Sequence, residues 1–533
     1  MTPGTTRRRL LQVAAALGLA PLLGRQASAQ ESGGSPLSFG EPEAFSWDNL
    51  VARAQAMAAQ AYAGHDVPNR DALAPIDFDA FWKIRYRPEA SLWPDREAPF
   101  PAQFFHRSAF NADRVPIFAI EDGQAREVLY DEGLFSYEDE ALRDSLPDDL
   151  GFAGFNLRRP PPREGDWLVF LGASYFRTDG EQDQFGLSAR GLSINTGLSP
   201  EEFPRFTTFW LERTPPGSGE AVIYALLDSE SACGAYRFVV SKPGPAIMEV
   251  DARLFMRKAV ERLGIAPLSS MFWFGPQNRH AATDWRPQVH DSDGLALWTG
   301  QGEHIWRPLN NPSVATTNSF SDADPKGFGL QQRARDFSDF EDDGVFYERR
   351  PSVWIEPLHA WGRGAVQLLE LPTDDEIYDN IACYWLPEAP TEPGQALEFR
   401  YRLTWSSGEP YPREVARVVA TRVGRGGAPG FHRVRSSRKF VIDFADGGMV
   451  GLVEGVKPSF DIDASRGKVS EPYVLPVVGT DRWRLVFDLF DIEGDQPIDL
   501  RALLTLDGRP ITETWVYQYQ PFRYADEMEE GPS

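Results

Sequence analysis

The sequence predicts a mainly β protein: a large N-terminal antiparallel β-sandwich followed by a small C-terminal immunoglobulin-like β-sandwich. Three observations carry that reading. Short β-prone runs recur at 115–120, 167–171, 221–227, 235–240, 352–356 and 365–371, punctuated by Gly, Pro, Asn and Asp, as strands joined by turns are. Helical periodicity is scarce, confined to the Ala-rich stretch 45–62 (FSWDNLVARAQAMAAQAY) and a second candidate helix at 251–263. After 406–412 (SSGEPYP) come alternating runs at 414–422, 440–444 and 483–489, within a span of roughly 110 residues that suits an immunoglobulin-like sandwich.

In chain order, Thr6-Arg7-Arg8-Arg9-Leu10-Leu11 opens with paired arginines. A mild apolar run follows to residue 23, and Ala27-Ser28-Ala29 supplies a small-x-small cleavage signal. The run is too short and too weakly apolar to span a bilayer, so residues 1–29 are expected to be a removable twin-arginine signal peptide directing the protein to the periplasm. No later stretch has the length and apolarity of a transmembrane helix, so no stable membrane insertion is expected. Ser46 is placed to cap the first helix. Two segments could end the first domain, 387–394 (PEAPTEPG) and 406–412. Residues 396–405 between them alternate like one more strand, which favours the second. The expected division is 30–406, 407–525 and a flexible acidic tail at 526–533.

The chain has 54 basic and 78 acidic residues, a net charge of −24. That balance gives no electrostatic reason to bind nucleic acid or an anionic membrane surface. Cys233 and Cys383 are the only cysteines, and folding in a reducing cytosol before export argues against a bridge between them. The 15 Trp, 16 Tyr and 35 Phe suit either a β core or platforms for sugar rings, and composition does not separate the two uses.

Motifs for nucleophilic or phosphate chemistry are missing. There is no GxSxG elbow, and Gly424-Arg425-Gly426-Gly427 lacks the Lys and Ser/Thr of a phosphate loop. His280 and His290 lack the spacing of a structural zinc site, and no cofactor or metal is called for. What stands out is carboxylates among aromatics, arginines and glycines. DWRPQVHDSDGL (284–295) places Asp291 and Asp293 beside His290, TDDEIYDN (373–380) holds Asp374, Asp375, Glu376 and Asp379, and YERRPSVWIEP (347–357) places Arg350 and Trp354 near Glu356. Glycoside hydrolysis needs one carboxylic acid to protonate the leaving oxygen and a second carboxylate to activate an acceptor or attack carbon. The acid must keep its proton near neutral pH, through desolvation or a neighbouring negative charge. Asp379, downstream of three acids and followed by Asn380 and the apolar Ile381, could have both. The same strings also read as ordinary loops: HDSDGL as a turn closed by Gly294, DDE as a solvated surface.

An ordered set of longer strings narrows the choice. GFAGFNLRRP (151–160), FLGASYFR (170–177), GLSARGLSINTG (186–197), EEFPRFTTFW (201–210), ALLDSESACGAYRF (225–238), GIAPLSSMFWFG (264–275), HDSDGL, WRPLNNP (306–312), PKGFGLQQR (325–333), RRPSVWIEP and DEIYDNIACYW (375–385) together resemble the osmoregulated periplasmic glucan biosynthesis proteins of the OpgG/OpgD kind. The twin-arginine start resembles the D-type branch. The resemblance implies that the large sandwich carries a deep cleft and that the substrate is linear β-1,2-glucan, cleaved with inversion at the anomeric carbon. It also implies that Asp379 is the general acid and Asp291 acts on the base side, with Glu376 and Tyr347 lining the substrate cleft. Arg350, Trp354, Asp293 and His290 are further candidate substrate contacts. The acceptor stays open: water would make an endo-β-1,2-glucanase, a sugar hydroxyl of the same chain a cyclising transglycosylase that forms an α-linkage. Contact with the glucan synthesis machinery is a further expectation. The alternative reading is a non-catalytic β-glucan-binding scaffold assisting a membrane glucan synthase, which gives no role to both Asp291 and Asp379.

Overall fold

A computed structural model of the chain describes residues 37–524 except 95–97, 160–164, 413, 429, 432, 435 and 450–455. The expected signal peptide and acidic tail lie outside the described residues. Strands dominate, as the alternating runs predict. One sheet is antiparallel and orders Thr316–Ala323, Arg363–Glu370, Ile381–Pro387, Leu263–Ser270, Ser188–Arg190, Tyr175–Thr178, Asp166–Leu171, Phe152–Arg158 and Ala102–His106, with Leu192–Ile194 also paired to Leu263–Ser270. A second sheet runs from Gln124–Leu129 through Ile117–Glu121, Arg205–Glu212, Glu220–Asp228, Ala232–Ser241 and Ala246–Met256 to Ala396–Ser406. It continues through Ser352–Pro357, Gly327–Gln331, Gly294–Trp298 and His304–Pro308. Its pairings form an open path, so it does not close into a barrel. Two of its contacts are parallel: Ile117–Glu121 beside Arg205–Glu212, and His304–Pro308 beside Thr514–Tyr519.

Between the sheets lies an aromatic core. Phe170 of the first sheet sits 5.3 Å from Phe209 and 5.2 Å from Phe238 of the second, and Phe176 sits 5.4 Å from Phe238. Side chains alternate along a strand, so with Phe176 pointing inward, Tyr175 and Arg177 take the outer face of the first sheet. Register pairs Tyr175 with Arg190, and the Arg190 guanidinium lies 5.2 Å from the Tyr175 ring. This outer face is the one the candidate site uses.

The first helix spans Trp47–Ala58, and the Ser46 hydroxyl accepts from Asn49 N at 3.2 Å, as its N-cap position predicts. The second expected helix is not there. Residues 251–256 belong to the strand Ala246–Met256, and Leu263 opens the next strand. The segment is held between Ala232–Ser241 and Ala396–Ser406 on both edges. Two complete ladders and a buried alternate face outweigh the helix preference of Ala, Arg, Met and Lys.

Beyond Ser406, the sheet Arg417–Arg425, Arg438–Ala445, Trp483–Phe490, Lys468–Pro476 packs on Ser459–Ala464, Ile498–Leu506 and Thr514–Tyr519. Phe440, Phe487 and Trp515 are at its centre. Trp306 and Trp354 from the preceding region share this core. Cys233 and Cys383 are both buried and free. Among the described residues, no helix is long and apolar enough to cross a membrane.

Candidate active site

Asp291 and Asp379, far apart in sequence, are tied to one short segment. The turn Ser270–Met271–Phe272 links the strands Leu263–Ser270 and Phe272–Phe274. Asp291 N donates to Met271 O at 2.8 Å, and the Ser292 and Ser270 hydroxyls are hydrogen-bonded at 2.8 Å. On the other side, Asn380 Oδ1 accepts from Phe272 N at 2.8 Å while its Nδ2 donates to Phe272 O and Leu371 O, both at 2.9 Å. Three consecutive residues thus fix both carboxylate loops. Asn380 is 3% exposed, and truncating it would strip both main-chain groups of Phe272 of their partner. Asn380→Ala is expected to cost roughly 2–4 kcal/mol, read by urea melts, with a matching loss of any activity that depends on Asp379.

Burial sets the electrostatics. Asp379 is 6% exposed and Asp291 4%. Desolvation first, then the negative charge of Asp291, pushes Asp379 up to about 7, against the pull of Arg177, Arg350 and Arg190. Asp291 is raised as well, by burial, with the ion-paired Arg350 opposing. The Arg350 guanidinium lies 4.0 Å from the Tyr347 ring, so one cation links the Asp291 carboxylate to that ring. A neutral acid beside a carboxylate under three arginines is the division of labour that acid–base chemistry on one bond requires.

Glu376 is drawn into the same cluster. It accepts from the Tyr347 hydroxyl and from Arg286 Nη1 and Nη2 at 2.9 and 3.1 Å. Arg286 also holds Asp284 and Asp342, each at 2.7 Å, so one guanidinium ties three loops together. The remaining acids of the string behave as loop residues: Asp374 is exposed, and Asp375 Oδ1 accepts from Glu376 N at 2.6 Å.

The other sequence candidates are placed differently. His290 is fully buried, its ring nitrogens at 2.8 Å from Gln332 Oε1 and 3.1 Å from Gln288 Oε1, and burial lowers it to about 3. It supports the Asp291 loop from behind as a neutral ring. Asp293 faces the backbone, with Oδ2 accepting from Arg333 N at 2.9 Å and Ala334 N at 3.0 Å. Trp354 is not brought to the cluster: its ring lies 4.1 Å from Tyr411 in the C-terminal core. Gly294 begins a strand rather than closing a turn, and a Cβ there would overlap the Trp306 indole.

Sequence reasoning missed Arg177, Arg190 and Arg286. The first two stand inside FLGASYFR and GLSARGLSINTG, where Arg190 lies opposite Tyr175 in the sheet and the Arg177 guanidinium lies 5.1 Å from the Phe185 ring. Tryptophan is mostly core, with Trp167, Trp210, Trp385, Trp405 and Trp515 all fully buried. Trp285, next to Arg286, is 71% exposed, and Trp82 is exposed as well.

The family described as "Periplasmic glucan biosynthesis protein, MdoG" matches residues 45–519. The chain is 45% identical to "Glucans biosynthesis protein D 2" of Ralstonia nicotianae, over 97% of this chain and 98% of that one. It is 44% identical to "Glucans biosynthesis protein D" of Stenotrophomonas maltophilia, over 91% of each. For the protein of the same name in Xanthomonas oryzae pv. oryzae the identity is 44%, over 97% and 98%.

Proposed function

Because this chain belongs to the MdoG family of periplasmic glucan biosynthesis proteins, we propose that it is an enzyme of that pathway which cleaves linear β-1,2-glucan with inversion. Asp379, protonated, gives its proton to the glycosidic oxygen as the C1–O bond breaks. Asp291 takes a proton, directly or through a relay, from the hydroxyl that attacks C1 on the opposite face. Arg350 holds Asp291 ionised, and Arg177 and Arg190 stabilise Asp379 once its proton has left. Glu376 and Tyr347, locked together under Arg286, line the sugar path, and the exposed Trp285 offers an apolar face beside it. The observation that carries this reading is the Asp379 carboxyl, buried and raised to about 7 next to a second carboxylate.

The setting follows the family and the N-terminal sequence: export through the twin-arginine route, work in the periplasm without membrane insertion, and contact with the glucan synthesis machinery. We divide the chain into a glucan-active sandwich at 30–406 and an immunoglobulin-like unit from 407.

The attacking hydroxyl belongs to water or to the same glucan chain. Mass spectrometry of products from linear β-1,2-glucan separates the two, since a ring weighs one water less than the linear chain of equal length. Rings would assign the acceptor to a sugar hydroxyl of the same chain, and linear fragments alone would assign it to water. Intact glucan under conditions where binding is demonstrated would turn the reading to a non-catalytic scaffold.

A further inference from the structure

We infer that Arg333 is a positioning residue through which the C-terminal unit holds the Asp291 loop in its working place. This inference rests on the function proposed above and extends it to residues outside the acid–base pair.

Arg333 follows the strand Gly327–Gln331, yet its side chain reaches across the junction and is only 4% exposed. Nε donates to Glu409 Oε1 at 2.7 Å, and Nη1 and Nη2 donate to Glu513 at 2.9 Å each, a two-pronged pair that fixes direction as well as distance. Nη1 also donates to Val418 O at 2.6 Å, and the guanidinium lies 3.5 Å from the Trp306 ring. Glu409, Val418 and Glu513 all lie beyond Ser406. Glu513 is itself held in place, because its Oε2 accepts from Val418 N at 2.9 Å.

The main chain of the same residue faces the site. Arg333 N and Ala334 N both donate to Asp293 Oδ2, Asp293 N donates to Gln331 O at 2.9 Å, and Asp293 O accepts from Leu309 N at 2.9 Å. Asp293 is therefore pinned on its side chain and both main-chain groups, two residues from Asp291. On the opposite side Asp291 is held by Met271 and Arg350. The loop is stretched between the Ser270–Phe272 turn and Arg333, and Arg333 is anchored by acids of the C-terminal unit. A reacting group displaced by about 1 Å can lose about 100-fold in rate, so this anchor bears on the chemistry without touching substrate.

The test uses full-length Glu513→Gln. Glu409 still pairs Arg333, so the buried charge stays balanced and the variant is expected to fold. Two measurements are made: hydrogen exchange of peptides covering 289–294 and 331–334, and kcat and KM on linear β-1,2-glucan. Exchange in both peptides is expected to speed up at least about fivefold, with kcat down about tenfold and KM within about twofold. A lower melting temperature with wild-type exchange at 289–294 and wild-type kcat would overturn the inference and leave the cluster as a stabilising contact only. Should Glu513→Gln not fold, Arg333→Lys, which keeps the charge and loses the fork, gives the same two readouts with the same expectations. The exchange measurement needs no glucan. A wild-type protein that leaves glucan intact would thus refute the proposed reaction, while the clamp would stand or fall on exchange alone.

Discussion

Asp379→Asn protein is expected to lose glucan turnover by about 10³-fold or more, while binding glucan much as the wild type does and becoming more stable at alkaline pH. Loss of a well-placed general acid removes about 10²–10⁴ in rate, and the amide keeps the size of the carboxyl. The stability effect follows from linkage. Folded Asp379 holds its proton up to about 7, against an ordinary value of 3.8. Its contribution to stability is therefore fully present below pH 3.8 and is lost as pH rises through about 7. An asparagine never ionises and escapes that loss. Each tenfold change in proton affinity is worth about 1.4 kcal/mol, so at pH 8 the variant should exceed the wild type by roughly 2–4 kcal/mol. The two should converge near pH 3.5. Urea melts at both pH values check the stability, and reducing-end and mass assays check the turnover. The same titration predicts that wild-type kcat/KM falls as pH rises through about 7, because the acid is then deprotonated. Equal stabilities at pH 8, or a rate that is flat from pH 6 to 8, would show that Asp379 does not hold this proton.

Arg350→Met is the change expected to damage both fold and chemistry. The substitution preserves much of the side-chain volume against Tyr347 but leaves Asp291 buried without its ion pair. Removing one partner of a buried pair costs about 3–5 kcal/mol. Asp291, already raised by burial, would rise further, so that the base stays protonated at neutral pH. A fall of about 10²–10³ in kcat/KM is expected, together with a shift of the acidic limb of the pH profile to higher pH. Arg350→Lys, which retains the charge without the planar fork, should recover part of both. Urea melts at pH 7 and kcat/KM between pH 4 and 8 measure the effects. A methionine variant with wild-type rate and limb would remove Arg350 from its role beside Asp291.

Much of the strand pattern is legible in the sequence because alternating apolar residues between turn-formers leave little else to form. The runs at 167–171 and 221–227 fall within observed strands, and 365–371 overruns its strand by one residue. The segment at 251–263 misleads, although Met248, Val250, Ala252 and Leu254 are buried between more exposed Glu249, Asp251 and Arg253, a period of two that helix-favouring side chains obscure. The site is half legible. Carboxylates reveal themselves locally, because Asp379 and Asp291 each stand in a compact polar string. Arg177 and Arg190 come from two separate strands, and only sheet order brings their charges near Asp379, while Arg286 gathers Asp284, Asp342 and Glu376 through contacts between loops. Trp354 illustrates the limit of local reading. Its neighbours in sequence include Arg350, yet strand alternation and the junction turn its ring into the C-terminal core.

The proton on Asp379 is tested most directly by ¹H NMR of linear β-1,2-glucan during its first turnovers at pH 6, with wild-type and Asp379→Asn protein side by side. The expected result is a new α-configured anomeric signal with the wild type and none with the variant. Unchanged glucan with the wild type, a new β-configured signal, or equal turnover by the variant would contradict inversion driven by this acid.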